Sequence, residues 1–242
     1  MKKDDVFKLI NDVFTVFNTV NNKKLDGPKN NLSDGKLYEL FVLSIIVNKL
    51  QKEYGFSVSF TGDKIKFREK GGLIKQIDPH FTLTKDNKTY DLFVDVEVIS
   101  IHFENTIEKD LQELDPSSYF ESDITLVFPN IDNRRPKSSE LIMLIECKST
   151  TMKSKYPKKT QSFNKNIIRE IIGMRSFVST HSEKKPSILD MAAGRDAEKC
   201  KKIPANPASE VILYTADLRS HNYTDSPEKF GIEIVYQEFI DK

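Results

Sequence analysis

Residues 123–128 read Asp-Ile-Thr-Leu-Val-Phe, and residues 141–148 read Leu-Ile-Met-Leu-Ile-Glu-Cys-Lys. A polar loop over Pro129–Ser139 separates them. Short β-branched, apolar runs bounded by turn-forming residues predict two strands. Leu141–Ile145 is apolar at every position, which predicts a strand buried on both faces and central in its sheet. If the two strands form a hairpin, the pairs 123/146 and 128/141 share the index sum 269. One register then serves both ends and sets Asp123 opposite Glu146. Side chains alternate along a strand, so Glu146 and Lys148 project together while Cys147 turns to the core. The hairpin therefore predicts Asp123, Glu146 and Lys148 as a cluster at one end of a sheet.

Outward from this hairpin, Ser33 is a plausible N-cap for a helix over about 34–53, apolar almost throughout Leu40–Val47. Alternating apolar residues predict strands at 56–60, 65–67, 81–83 and 90–101, with a turn at Asp86-Asn87-Lys88. Residues 104–121 read as an acidic loop or helix. A helix follows at about 164–178, then strands at 211–215 and 232–236. Val6, Leu9, Ile10, Val13, Phe14, Phe17 and Val20 recur at three- and four-residue steps and predict an amphipathic helix within residues 1–24. The expectation is one α/β domain over 1–242. It has a mixed central sheet flanked by helices, an added N-terminal helix, a core at about 33–240 and a β-rich elaboration at about 56–120.

With 38% hydrophobic residues the chain is no disordered polymer, and no stretch approaches the ~20 apolar residues of a membrane span. Lys2 and Lys3 are followed at once by Asp4 and Asp5, which is unlike a signal peptide. Cys147 and Cys200 have no zinc-ligand spacing, and His80, His102, His181 and His221 are scattered. A cytoplasmic protein with reduced thiols is expected. Thirty-seven basic against 36 acidic side chains leave +1, so any polyanion partner must meet a local patch. Such a patch exists: between Lys153 and Arg175, seven basic residues face only Glu170, a local +6. Lys153, Lys155, Lys158, Lys159, Lys165 and Arg169 are the expected contacts to a polyanionic backbone.

Two carboxylates about 5 Å apart repel by about 3 kcal/mol at an effective dielectric of 20. A divalent cation between Asp123 and Glu146 reverses that sign, and oxygen-only ligation favours Mg²⁺, with Mn²⁺ as a substitute. Lys148 then points at the same place, where it can hold an anion or position water. Metal plus ammonium suits phosphodiester hydrolysis. Asp91, Asp95 and Glu97 in Tyr-Asp-Leu-Phe-Val-Asp-Val-Glu-Val form a rival acidic set, read here as a solvated strand face.

The order Ser-Asp-Ile-Thr-Leu-Val-Phe, then Leu-Ile-Met-Leu-Ile-Glu-Cys-Lys, then a helix, resembles the PD-(D/E)xK phosphodiesterases of the restriction-endonuclease-like fold. The resemblance implies that Asp123 and Glu146 bind the metal and that Lys148 assists the nucleophilic water. Ser122 stands where the motif has proline. The family often adds an acid on the helix before the sheet, and Glu39 fits that outer role; the alternative is a helix carboxylate satisfied by a neighbouring lysine. The implied activity is a Mg²⁺-dependent DNA endonuclease, in restriction or phage defence. A homodimer or higher assembly would supply one site per strand of a two-fold-related duplex. A catalytically inactive nucleic-acid-binding module and an RNA-directed or ligand-activated nuclease remain as alternatives.

Overall fold

The computed structural model describes Val6, Lys8, Ile10, Asp12 and residues 33–62, 71–103, 115–149 and 164–239. Helix α1 (Asp34–Lys52) starts where expected: the Ser33 Oγ accepts from the Lys36 N–H at 3.3 Å. Lys49 and Lys52 in its last turn complement the negative end of the helix dipole. Leu37, Tyr38, Leu40, Phe41, Val42, Leu43, Ile46 and Val47 are all buried, so α1 is packed on most of its circumference.

Strands β1 (Ser57–Thr61), β2 (His80–Lys85), β3 (Lys88–Ile99), β4 (Tyr119–Val127) and β5 (Leu141–Lys148) follow. Next come α2 (Lys165–Val178), β6 (Thr180–Pro186), α3 (Ile188–Ala192), β7 (Lys202–Asn206), β8 (Glu210–Thr215), α4 (Asp225–Lys229) and β9 (Ile232–Tyr236). The main sheet has seven strands in the order β1-β2-β3-β4-β5-β8-β9. β1 to β5 form an antiparallel meander, and β8 and β9 join in parallel, so the sheet is mixed. A parallel neighbour requires a crossover. Here the crossover holds α2 and the separate β6–β7 ribbon.

Helices cover both faces. On one side α1 packs with Leu83, Leu92, Ile124, Leu126 and Ile145. On the other, Ile168, Ile171 and Val178 of α2 meet Val98, Leu144 and Leu213. β5 lies between these layers with Leu141–Ile145 buried throughout, as its composition predicted. Ile145→Ala is therefore expected to cost about 2–5 kcal/mol of stability through lost burial and a residual cavity. Urea denaturation should show a lower midpoint at an unchanged slope.

The β4–β5 register is the expected one over Ile124↔Ile145, Thr125↔Leu144 and Leu126↔Met143, all summing to 269. At the loop end it shifts through a bulge, and Val127 pairs with Leu141. Phe128 leaves the ladder and donates its N–H to the Glu140 carbonyl at 2.9 Å, so the 128/141 pair does not form. Asp86 and Asn87, both at positive φ, make the tight β2–β3 turn.

Several boundaries differ from expectation. β4 starts at Tyr119, inside the stretch read as loop or helix. β1, β2 and β3 of the presumed elaboration extend the main sheet on the open side of β4. The β6–β7 ribbon was missed because Thr-His-Ser-Glu-Lys-Lys-Pro carries no apolar alternation and is mostly exposed. Its frame is polar: the Ser187 Oγ donates to Glu210 at 2.6 Å, and Lys201 joins Glu210 and Glu233 at 2.8 and 2.7 Å.

Val6, Lys8, Ile10 and Asp12 are helical, and Val6 and Ile10 are fully buried in the α1-side core. Those two positions of the N-terminal stripe are thus not available to a partner copy. The rest of residues 1–24, the strand expected at 65–67 and residues 104–114 lie outside the described residues. Both cysteines are free and buried. Among the described residues, no helix is long and apolar enough to cross a membrane.

Candidate active site

The pairings Val94↔Ile124 and Val96↔Ser122 flank Asp95 and Asp123, and the β4–β5 register, extended one position beyond Ile124↔Ile145, sets Asp123 opposite Glu146. Three acidic residues thus occupy one row across three adjacent strands. Asp95 interrupts the β3 ladder with φ +53°, a left-handed conformation that aspartate tolerates far better than a β-branched residue. Its displaced carbonyl accepts from the Gly72 N–H at 3.1 Å, so the break leaves no orphaned acceptor.

Over this row α1 delivers Glu39. Carboxylate oxygens of Glu39, Asp95 and Asp123 all lie within 4.8 Å of one another. The Asp95 side chain is fully inaccessible and that of Glu39 is 12% exposed. Lys36, one turn before Glu39, places its Nζ 2.7 Å from Glu39 Oε2 and 2.7 Å from Asp95 Oδ1. Asp123 Oδ2 accepts from the Cys147 N–H at 2.6 Å, which ties the carboxylate to the β5 backbone. Glu146 turns to Lys148, with Oε1 2.6 Å from Nζ, and Glu170 of α2 stands 4.0 Å from the same ammonium. A cavity of about 310 Å³ opens beside Glu146 and Lys148, walled by Phe120, Ile171, Met174 and Phe177.

Burial and mutual repulsion set the protonation states. Desolvation, then the charge of Asp123, pushes Glu39 up to about 8 against the pull of Lys36. Desolvation, then the charge of Glu146, raises Asp123 to about 8, although the Cys147 N–H and Lys148 favour its ionised form. Burial also raises Glu146. Burial opposes the charge on Lys148, but Glu146, Asp123 and Glu170 outweigh it and its pKa rises.

The sequence-predicted residues are distributed as follows. Glu39 and Asp123 meet in the three-carboxylate group; Glu146 and Lys148 form the adjoining ion pair. The neighbouring lysine considered for Glu39 exists and is Lys36, and a Glu39 oxygen also lies within 4.8 Å of oxygens of Asp95 and Asp123. Lys165 and Arg169 are exposed on the first turns of α2, and Lys153, Lys155, Lys158 and Lys159 lie outside the described residues. Arg175, counted in the basic patch, is 2% exposed and donates to the Ser209 and Gly231 carbonyls, so it does not belong to that surface.

The reading of Asp91, Asp95 and Glu97 as a solvated face is overturned. Asp91 is buried and accepts from Gln76 Nε2 at 3.2 Å, while Glu97 pairs with Arg135 at 2.6 Å. Asp95 enters the site. Its signal was the register itself: a strand pairing that puts position 95 against 123 extends the acidic row by one member. The neighbouring lysine weighed for Glu39 was not named as Lys36, whose three-residue spacing is that of facing helix neighbours, and its second contact, with Asp95, was missed.

All-oxygen donors suit a hard divalent cation. Oxygens on opposite sides of Mg²⁺ stand about 4.2 Å apart at ligand distances near 2.1 Å, so a span of at most 4.8 Å needs only slight closure. The residues present fit such an ion.

This geometry has a pH signature. Glu39 and Asp123 titrate near 8 in the folded chain but near 4 when unfolded. Between those values the folded state binds more protons, so metal-free stability falls as pH rises from about 4 to about 8. Ligation requires the ionised forms, so divalent-ion affinity rises across the same window. Thermal melts in chelator should fall, and calorimetric Mg²⁺ affinity should climb, between pH 5 and 8; a flat affinity profile would contradict the site.

Comparison with protein-family models, curated proteins and solved structures gave no match to this chain. The functional reading therefore stands on the residues and their geometry.

Proposed function

We propose that this chain is a divalent-metal-dependent nuclease that hydrolyses phosphodiester bonds of DNA. The observation that carries the reading is the convergence of Glu39, Asp95 and Asp123 from three elements within 4.8 Å, beside the Glu146–Lys148 pair. Buried like charges are costly unless something positive joins them. Their convergence from one helix and two neighbouring strands is what a cation-dependent centre needs. The resemblance of Asp123, Glu146 and Lys148 to the PD-(D/E)xK motif supports the same chemistry.

Glu39, Asp95 and Asp123 would hold the ion, Mg²⁺ by donor type. When bound, it supplies Lewis-acid polarisation of the phosphodiester and neutralises charge developing on the leaving oxygen. The chain's own groups do the rest. Cys147 N–H fixes the orientation of Asp123, and Glu146 fixes the Lys148 ammonium at 2.6 Å. Lys148 is placed to hold a phosphate oxygen and orient the attacking water. As the P–O bond to the leaving nucleotide breaks and its oxygen takes up a proton from solvent, water adds to phosphorus and gives up one proton. Glu146 is positioned to accept it through Lys148 or directly.

The lysine-rich stretch after Lys148 would carry the polyanion. Replacing Lys153, Lys155, Lys158 and Lys159 together should weaken DNA binding alike for unrelated sequences. The log–log salt slope should become shallower by up to about 0.9 per lost contact. Filter binding across a salt series measures this, and an unchanged slope would remove the stretch from the interface.

The activity itself is tested by incubating supercoiled plasmid with the protein in Mg²⁺ or in EDTA. Nicking or linearisation in Mg²⁺ alone is expected. Binding without cleavage in Mg²⁺ and Mn²⁺ would favour a catalytically inactive module, and cleavage confined to RNA would redirect the substrate.

A further inference from the structure

Lys36 sits where the local sequence disfavours it. It is the third residue of α1, in the turn where the helix dipole is positive and ammonium groups are unfavourable. Yet its side chain is only 25% exposed, and its Nζ is held at 2.7 Å by both Glu39 and Asp95. These are two of the three residues whose oxygens would surround a divalent ion. An ion ligated by the same oxygens would stand within a few ångströms of the ammonium, where two cations repel strongly in a partly buried site. The two occupants are therefore mutually exclusive.

We propose that Lys36 is an internal cation that occupies the Glu39–Asp95 pair until a divalent ion displaces it, making metal uptake an exchange of one cation for another. The inference rests on the metal-dependent reading and adds a regulatory residue to it. In the metal-free protein the ammonium holds two buried carboxylates together and keeps the pocket formed. On metal entry it leaves the pair while α1 stays in place, since the helix is anchored by its own apolar contacts. Lys36 thus acts as a positioning and gating residue, setting how much free metal the site requires.

A merely structural lysine and a displaced one differ in the sign of one measurement. Mn²⁺ binding is followed by calorimetry, without nucleic acid, for the wild type, Lys36→Gln and Lys36→Arg. Gln keeps an N–H donor for the carboxylates but removes the competing charge. Displacement predicts that Lys36→Gln binds Mn²⁺ about tenfold tighter or more, a usual size for coupling between ligands of shared groups. Lys36→Arg should bind no tighter than the wild type. Its metal-free melting temperature should fall in Lys36→Gln, and added Mn²⁺ should restore it.

A second readout needs no variant: the Lys36 ε-methylene NMR signal of the wild type should shift as Mg²⁺ saturates the protein. Equal or weaker Mn²⁺ binding by Lys36→Gln, with the wild type binding normally, overturns the exchange and leaves the metal site standing. An unshifted ε-methylene at saturating Mg²⁺ does the same even if Lys36→Gln does not fold. No Mn²⁺ binding by either protein overturns the metal reading and the exchange together.

Discussion

Asp123→Ala should lower DNA cleavage by roughly 10³-fold or more while the chain stays folded. Asp123 is one of the three converging carboxylates, the acceptor of the Cys147 N–H, and the member of the strand row that lies between Asp95 and Glu146. Losing the cation's contribution of several kcal/mol at about 1.4 kcal/mol per tenfold gives that magnitude. Stability should move the other way. Above about pH 8, where the carboxylate is ionised, burial and Glu146 disfavour its charge, and removing it relieves repulsion in the metal-free protein by more than the lost hydrogen bond from the Cys147 N–H costs. The melting temperature in chelator should hold or rise, and the Mg²⁺-induced increase should vanish. Lys148→Ala should cut turnover comparably yet leave Mg²⁺ affinity nearly unchanged, because its ammonium is not a ligand. Plasmid cleavage paired with thermal melts checks both; an Asp123→Ala protein of full activity would remove the site.

Asp95→Asn tests the residue that the sequence reading set aside. Asparagine keeps the size and tolerates the left-handed φ of +53°, so the strand geometry is preserved while one charge disappears. As a buried ligand, Asp95 should cost roughly 10²-fold or more in divalent affinity when neutralised, at the upper end of what outer partners of a metal cost. An aspartate on a solvated strand face would change affinity hardly at all. Titration with Mn²⁺ separates these outcomes, and a change below about twofold would return Asp95 to a structural role.

The hairpin was legible because its two strands carry strong, independent signals. Continuous apolarity marked β5 as central, and a shared index sum was consistent with its pairing with β4, although the 128/141 pair that entered that sum does not form. Burial of Leu141–Ile145 and the Ile124↔Ile145 pairing follow from those features alone. The bulge at Val127 was not legible, since a one-residue slip at a polar loop leaves no trace in the apolar pattern. Asp95 was hidden for a related reason. Its acidic neighbours alternate as an exposed strand would, and only the pairing of β3 with β4, together with a positive φ inside a strand, brings it against Asp123. The β6–β7 ribbon escaped notice because its first strand is polar and mostly exposed and its own core is only the small Ile203–Ala205–Ala208 cluster. Lys36 looked like one surface lysine among many in a lysine-rich chain, and its two carboxylate partners lie 3 and 59 residues away.

The central claim is that Glu39, Asp95 and Asp123 together form a divalent-cation centre. Crystals of the protein soaked in Mn²⁺ and measured for anomalous scattering locate the ion without reference to activity. The account predicts one strong peak within ligand distance, about 2.2 Å, of oxygens from all three residues, with Lys36 Nζ moved away from Asp95. A peak bridging Asp123 and Glu146 with Lys36 still clamped on Glu39 and Asp95, or no peak at this end of the sheet, would contradict it.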